Sequence, residues 1–173
     1  MDVTHIYVIA GHGAGDSGAC GNGYQEAERV RALAQCIKDL GGDNVTLHPL
    51  ADNAYASNAI SRLDIPKDWQ IVELHMDSAA ASARGAHVIY YGKYSPDVYD
   101  KALADFVANM FPGRADKLVA RIDLANPKRA GNKGYGYRLV ENGFISNADD
   151  IAVFNSRLVE LARGYLHAFG ITS

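Results

Sequence analysis

The sequence has no apolar run approaching the roughly 18 residues that a membrane-spanning helix needs, so no stable membrane association is expected. It has only two cysteines, Cys20 and Cys36, too few for a disulfide framework, and both read as reduced small residues. Runs of lysine and arginine are missing and the formal net charge is −3, which argues against nucleic acid as a partner. The opening Met1-Asp2-Val3-Thr4-His5 has no basic start, no long apolar segment and no small-residue cleavage site. It reads as a chain made in the cytoplasm without a signal peptide in this sequence. Repeats, low-complexity segments and linkers are lacking too. A chain of 173 residues, 48% hydrophobic and 21% charged, is expected to bury one core as a single domain over 1–173.

What is present is an alternation of apolar strands and amphipathic helices. Strands are expected over 5–10, 45–50, 70–76, 86–91, 118–124 and 137–142, and helices over 25–40, 55–63, 96–111 and 151–169. Pro96 fits the first turn of the third helix, and Asp149 or Asp150 is expected to cap the last. Residues 11–23 and 126–136 are glycine-rich and polar, and read as loops. The alternation predicts an α/β fold on a largely parallel sheet.

Four polar residues fall at element ends: His12 after the first strand, Glu26 opening the first helix, His75 ending the third strand and Glu141 ending the last. Parallel strands share one C-terminal edge, where open α/β sheets place ligands. Two imidazoles and one carboxylate make a three-ligand catalytic zinc set with a fourth position for water. A further carboxylate can move the proton. No H-E-x-x-H helix fixes the set by spacing. Glu28 competes with Glu26, since both lie where a helix dipole favours a carboxylate. Gly13-Ala14-Gly15-Asp16-Ser17-Gly18 matches the dinucleotide fingerprint G-x-G-x-x-G. However, the helical pattern starts only after a further loop, and no acidic residue ends the second strand.

The segments around these residues carry a resemblance. Ile9-Ala10-Gly11-His12-Gly13-Ala14-Gly15-Asp16-Ser17-Gly18-Ala19 resembles the opening motif of the amidase type 3 family, the zinc-dependent N-acetylmuramoyl-L-alanine amidases. Gly21-Asn22-Gly23-Tyr24-Gln25-Glu26-Ala27-Glu28 is similar to the segment bearing the family's glutamate ligand. Val72-Glu73-Leu74-His75-Met76-Asp77-Ser78 is similar to the strand ending in its second histidine ligand. Val140-Glu141-Asn142-Gly143-Phe144-Ile145-Ser146-Asn147 resembles its closing motif. The resemblance implies a single catalytic domain with a twisted, mostly parallel sheet of about six strands and helices on both faces. It implies Zn2+ on His12, Glu26 and His75, with Glu141 as general base and acid. The implied substrate is peptidoglycan, cut at the amide between N-acetylmuramic acid and L-alanine. A zinc peptidase cutting within the stem peptide, a silent wall-binding module and a nucleotide-binding domain are the alternatives.

The resemblance also frames the remaining residues. Asp77 and Ser78 stand where the family often has Asn and a small residue, which marks Asp77 as a substrate contact. Arg138 stands where an apolar residue is common and is a candidate either to face the cleft and hold a substrate carboxylate or simply to face solvent. Glu73 lies on the same strand face as His75 and is a candidate to hold it. Tyr135 and Tyr137 are candidates for packing or for sugar and peptide contact. His5, His48, His87 and His167 match no motif and read as structural or surface residues. A compact unit without a leader resembles phage endolysins, which act on the cell wall and usually carry a wall-binding domain, here expected beyond this sequence if present.

Overall fold

The computed structural model describes residues 4–172. Met1-Asp2-Val3, part of the segment on which the missing-leader reading rests, lies outside the described residues. The elements run β1 (Ile6–Ala10), β2 (Cys20–Gly21), β3 (Tyr24–Gln25), α1 (Glu26–Gly41), β4 (Val45–Leu47), α2 (Ala59–Arg62), β5 (Gln70–Asp77) and β6 (His87–Tyr91). Then come α3 (Val98–Met110), β7 (Leu118–Arg121), α4 (Ala125–Lys133), β8 (Gly136–Phe144), α5 (Ala148–Ser156) and α6 (Leu158–Ala168).

Six strands form one sheet in the order β4-β1-β5-β8-β6-β7. β4, β1, β5 and β8 are mutually parallel. β6 pairs antiparallel with β8 and parallel with β7, so the last two strands are reversed. The sheet is therefore mixed and mostly parallel, as expected. The period of two divides the strands between two cores. Ile6, Val8, Val72, Leu74, Val88 and Val140 face α1, α3 and α6 in the larger one. Ile9, Ile71, Ile89, Tyr137 and Leu139 face Ile60 of α2 and Ala130 of α4 in the smaller one.

Several local expectations are corrected. Residues 126–136 are not all loop: most of them form α4. Its sequence has no apolar stripe, yet Asn126, Pro127, Ala130 and Gly131 are buried. Tertiary burial, not periodicity, makes this helix. The single helix over 151–169 is two, α5 and α6, separated at Arg157. Asn147, not Asp149 or Asp150, caps α5; its side chain accepts from both of their backbone amides. Asp97 caps α3 in a reciprocal capping box with Asp100, so Pro96 precedes the cap. The helix over 55–63 contracts to α2, which leaves Tyr55 in a loop.

Candidate active site

The C-terminal ends of β1, β5 and β8 share one edge of the sheet, and the chemistry gathers there. Gly11 continues the ladder from β1 to Leu74 with a 2.8 Å hydrogen bond. A side chain at Gly11 would land on the His75 imidazole, so only glycine leaves room for that ring. His12 then takes a left-handed backbone, φ 66°, which few residues with a side chain adopt. Gly18 is also left-handed, at φ +63°, and a Cβ there would strike His12 and the Glu26 carboxylate. Glu26 begins α1 and is buried. Its carboxylate accepts from the amides of Ala19 (2.9 Å) and Met76 (3.1 Å), which fixes its orientation.

Three side chains converge. His12 Nε2 is 3.0 Å from Glu26 Oε2, and His75 Nδ1 is 2.9 Å from Glu26 Oε1. One ligand atom from each of His12, Glu26 and His75 lies within 4.8 Å of the others, a group that could hold a metal ion. Glu28 is exposed and outside the group. Behind each imidazole stands a carboxylate. Asp16 Oδ2 is 2.9 Å from His12 Nδ1, and Glu73 Oε1 is 2.9 Å from His75 Nε2. Glu73 is in turn held by the Tyr137 hydroxyl (2.6 Å) and the Asn126 amide (2.9 Å). Asp16 is held by the Gly18 amide and by Asn53. Such outer partners orient imidazole ligands toward a metal. His12 Nε2 is buried and has no hydrogen-bond partner among the described residues despite the nearby carboxylate. The donor set, the outer carboxylates and this orphaned nitrogen fit a metal ion.

The charges follow the same geometry. Burial raises the Glu26 carboxyl, but the neighbouring His12 and His75 imidazoles override it and hold it well below the usual range. Burial lowers His75, and Glu26 and Glu73 override that and raise it well above an ordinary histidine. The Glu26 carboxylate beside it raises His12. Glu141 stands beside His75 on the neighbouring strand, in register, about 4.8 Å away between strand axes. Burial pushes it up to about 7; His75 opposes this, while Asp77 and Glu26 add to it. Its Oε2 is buried without a hydrogen-bond partner among the described residues. From the other face of the sheet, buried Asn142 donates to the His75 carbonyl (3.1 Å) and accepts from the Tyr165 hydroxyl (2.6 Å). This ties β8 to β5 beside the bulge that follows His75.

Two sequence expectations end differently. Asp77 is half-buried near Glu141 and pairs with Arg114 at 3.3 Å. Arg138 does not face the cleft. It points into the opposite face of the sheet, 1% exposed, and bonds Asp100 (2.8 Å), Asp97 (3.0 Å) and Gln70 (2.7 Å). Its donors are spent on the fold, because position 138 shares the face of Val140 rather than of Glu141. Asn126 was not a candidate in the sequence, since its segment reads as loop. Tyr137 is buried and serves Glu73 rather than a ligand surface. Glycines 13–18 form no nucleotide turn either, because the β2–β3 hairpin separates them from α1.

Residues 6–172 match the protein family described as N-acetylmuramoyl-L-alanine amidase, Amidase_3. The chain belongs to this amidase family. It is 31% identical over 165 residues to the probable autolysin PH of Staphylococcus aureus, a match covering 84% of this chain. The chain spans about a third of that curated relative, 34% of its length. Among solved structures, the catalytic domain of the CD27L endolysin targeting Clostridia difficile superposes with a TM-score of 0.77, at 19% identity over 98% of both chains. The amidase Ami1 from Mycobacterium abscessus gives 0.69, at 21% identity over 98% of both. At such identities these structures share the amidase fold.

Proposed function

We propose that this chain is the single catalytic domain of a peptidoglycan amidase, hydrolysing the amide between N-acetylmuramic acid and L-alanine. The observation that carries the reading is the His12, Glu26 and His75 group with the unpartnered Glu141 carboxylate beside it, in a chain of the amidase family. In this reading His12 Nε2, Glu26 and His75 Nδ1 hold Zn2+. When bound, zinc polarises the carbonyl and acidifies the attacking water.

The chain's own residues do the rest. Asp16 and Glu73 keep the ligand nitrogens aimed. Glu141 takes the proton from the water as the C–O bond forms. It then returns that proton to the nitrogen as the C–N bond breaks, giving a muramic acid carboxylate and a free L-alanine amine. A carboxyl pushed up to about 7 by burial suits both roles near neutral pH. Asp77, beside Glu141 and paired with Arg114, is the proposed contact for the peptide side. The site of action is the cell wall, with any wall-binding domain lying outside this sequence.

The test is mass analysis of digested peptidoglycan, with and without a chelator. The expected products are lactyl-sugar glycans and peptides with an L-alanine amino terminus, and none of either after chelation. A new amine inside the stem peptide would identify a peptidase instead.

A further inference from the structure

Tyr55 stands in the loop between β4 and α2 with its residue surface 62% exposed. It borders two cavities that both reach His75. One, about 290 Å3, is lined by His12, Asp16 and Asn53; the other, about 160 Å3, by Leu124, Pro127 and Leu139. The ring is held rather than loose. The Arg129 guanidinium lies 5.4 Å from its centroid, and Arg129 Nη1 donates to the Tyr55 carbonyl (2.9 Å) and to Asn126 (2.8 Å). Asn126 donates to Glu73, which holds His75. One hydrogen-bonded chain therefore joins this exposed aromatic wall to the metal-site imidazole. An aromatic ring that walls two cavities reaching the same reaction centre is placed for a ligand to cover.

The direction of the substrate follows from the task of Glu141, so this inference rests on the amidase reading. Glu141 protonates the departing L-alanine nitrogen, so the stem peptide lies on the β8 side of His75. The acyl side of the same amide is the lactyl group of the sugar, and it extends the opposite way, toward β1 and β4. The loop that leaves β4 carries Asn53 to that side, and Tyr55, which also reaches Leu139 of β8, borders the cavity there with His12, Asp16 and Asn53.

We propose that Tyr55 is the stacking platform for the N-acetylmuramoyl ring. The apolar C–H face of the pyranose covers the tyrosine, and its polar rim meets the cavity lined by Asp16 and Asn53. A sugar ring offers one flat apolar face and one hydroxyl edge, which matches an aromatic wall beside polar side chains.

The test uses the zinc-loaded protein and two soluble substrates that share the lactoyl–L-alanine amide: a disaccharide pentapeptide and a D-lactoyl pentapeptide lacking the sugar ring. The readout is the ratio of their kcat/KM values, with zinc content and thermal midpoint measured on the same preparations. Tyr55→Ala is expected to lower that ratio about tenfold, through KM on the sugar-bearing substrate, the scale of one aromatic contact. Tyr55→Phe, which keeps the ring face, is expected to stay within about twofold of the parent ratio. An equal loss on both substrates, or an unchanged ratio in Tyr55→Ala, overturns the platform. A parent protein that exposes no L-alanine amine from either substrate overturns the amidase reading, and the platform with it.

Discussion

Arg138 and Glu141 lie three residues apart on β8, on opposite faces of the sheet, and show two fates for a buried charge. Every guanidinium nitrogen of Arg138 has a partner among Asp97, Asp100 and Gln70, and Phe169 lies 5.4 Å from its guanidinium carbon. Glu141 keeps an unpartnered oxygen and a raised pKa, beside carboxylates that gather around two imidazoles. A satisfied buried ion belongs to the architecture. A buried ion whose partners are incomplete marks a place where a ligand completes them.

The largest effect expected from this contrast is at Glu141. Glu141→Gln should reduce amidase turnover by about 10²–10⁴-fold while zinc stoichiometry, read by metal analysis, stays at the parent value. It should also stabilise the metal-free protein. A carboxyl whose folded pKa is raised contributes stability that is complete below about 4.5 and lost as pH rises through about 7. Thermal midpoints above pH 7 should therefore be higher in Glu141→Gln, by ~2–4 °C per kcal/mol recovered.

Arg138→Ala sharpens the contrast from the other side. It leaves Asp100 buried beside its own capping partner, and should cost about 3–5 kcal/mol of stability in denaturant titrations. The folded fraction should still bind zinc. A loss of zinc without a loss of stability would put Arg138 in the site after all.

Glu73→Gln should weaken zinc affinity by about 10–100-fold in chelator competition, because the amide supports His75 less strongly than the carboxylate. Smallest is the pH response. His12 and His75 are both raised by the carboxylates around them, so in the metal-free state each holds its proton to higher pH than an ordinary histidine. Zinc must displace those protons, so affinity should fall as pH drops, by up to roughly tenfold per pH unit for each imidazole that gives one up. Calorimetry in buffers of different ionisation enthalpy counts the protons released.

The candidate residues are legible in the sequence where the chemistry and the local pattern coincide. His12, Glu26, His75 and Glu141 sit in four recognisable segments at strand and helix ends; the apolar run of Ile6 to Ala10 gives a buried strand, and the alternation of Val72 to Met76 gives a strand and its faces. Glu73 was legible as the residue two before His75 on the same face. Asp16 lay inside a recognised motif, but only folding shows that it backs His12. The failures share a cause, which is dependence on distant partners. Position 138 is read correctly only by following the alternation from Val140 and by knowing where Asp97 and Asp100 fall. α4 has no stripe of its own, so Asn126 was invisible as a support for Glu73. The separation of α5 and α6 at Arg157 leaves the apolar spacing from Phe154 to Leu161 uninterrupted, and spacing alone cannot reveal it.

The most direct measurement is anomalous scattering at the zinc edge from crystals of the zinc-loaded protein. The account predicts one strong peak about 2.0–2.2 Å from His12 Nε2, His75 Nδ1 and a Glu26 oxygen, with Glu141 free of the metal. A peak on His75 Nε2 and Glu73, or one that excludes His12, would contradict it.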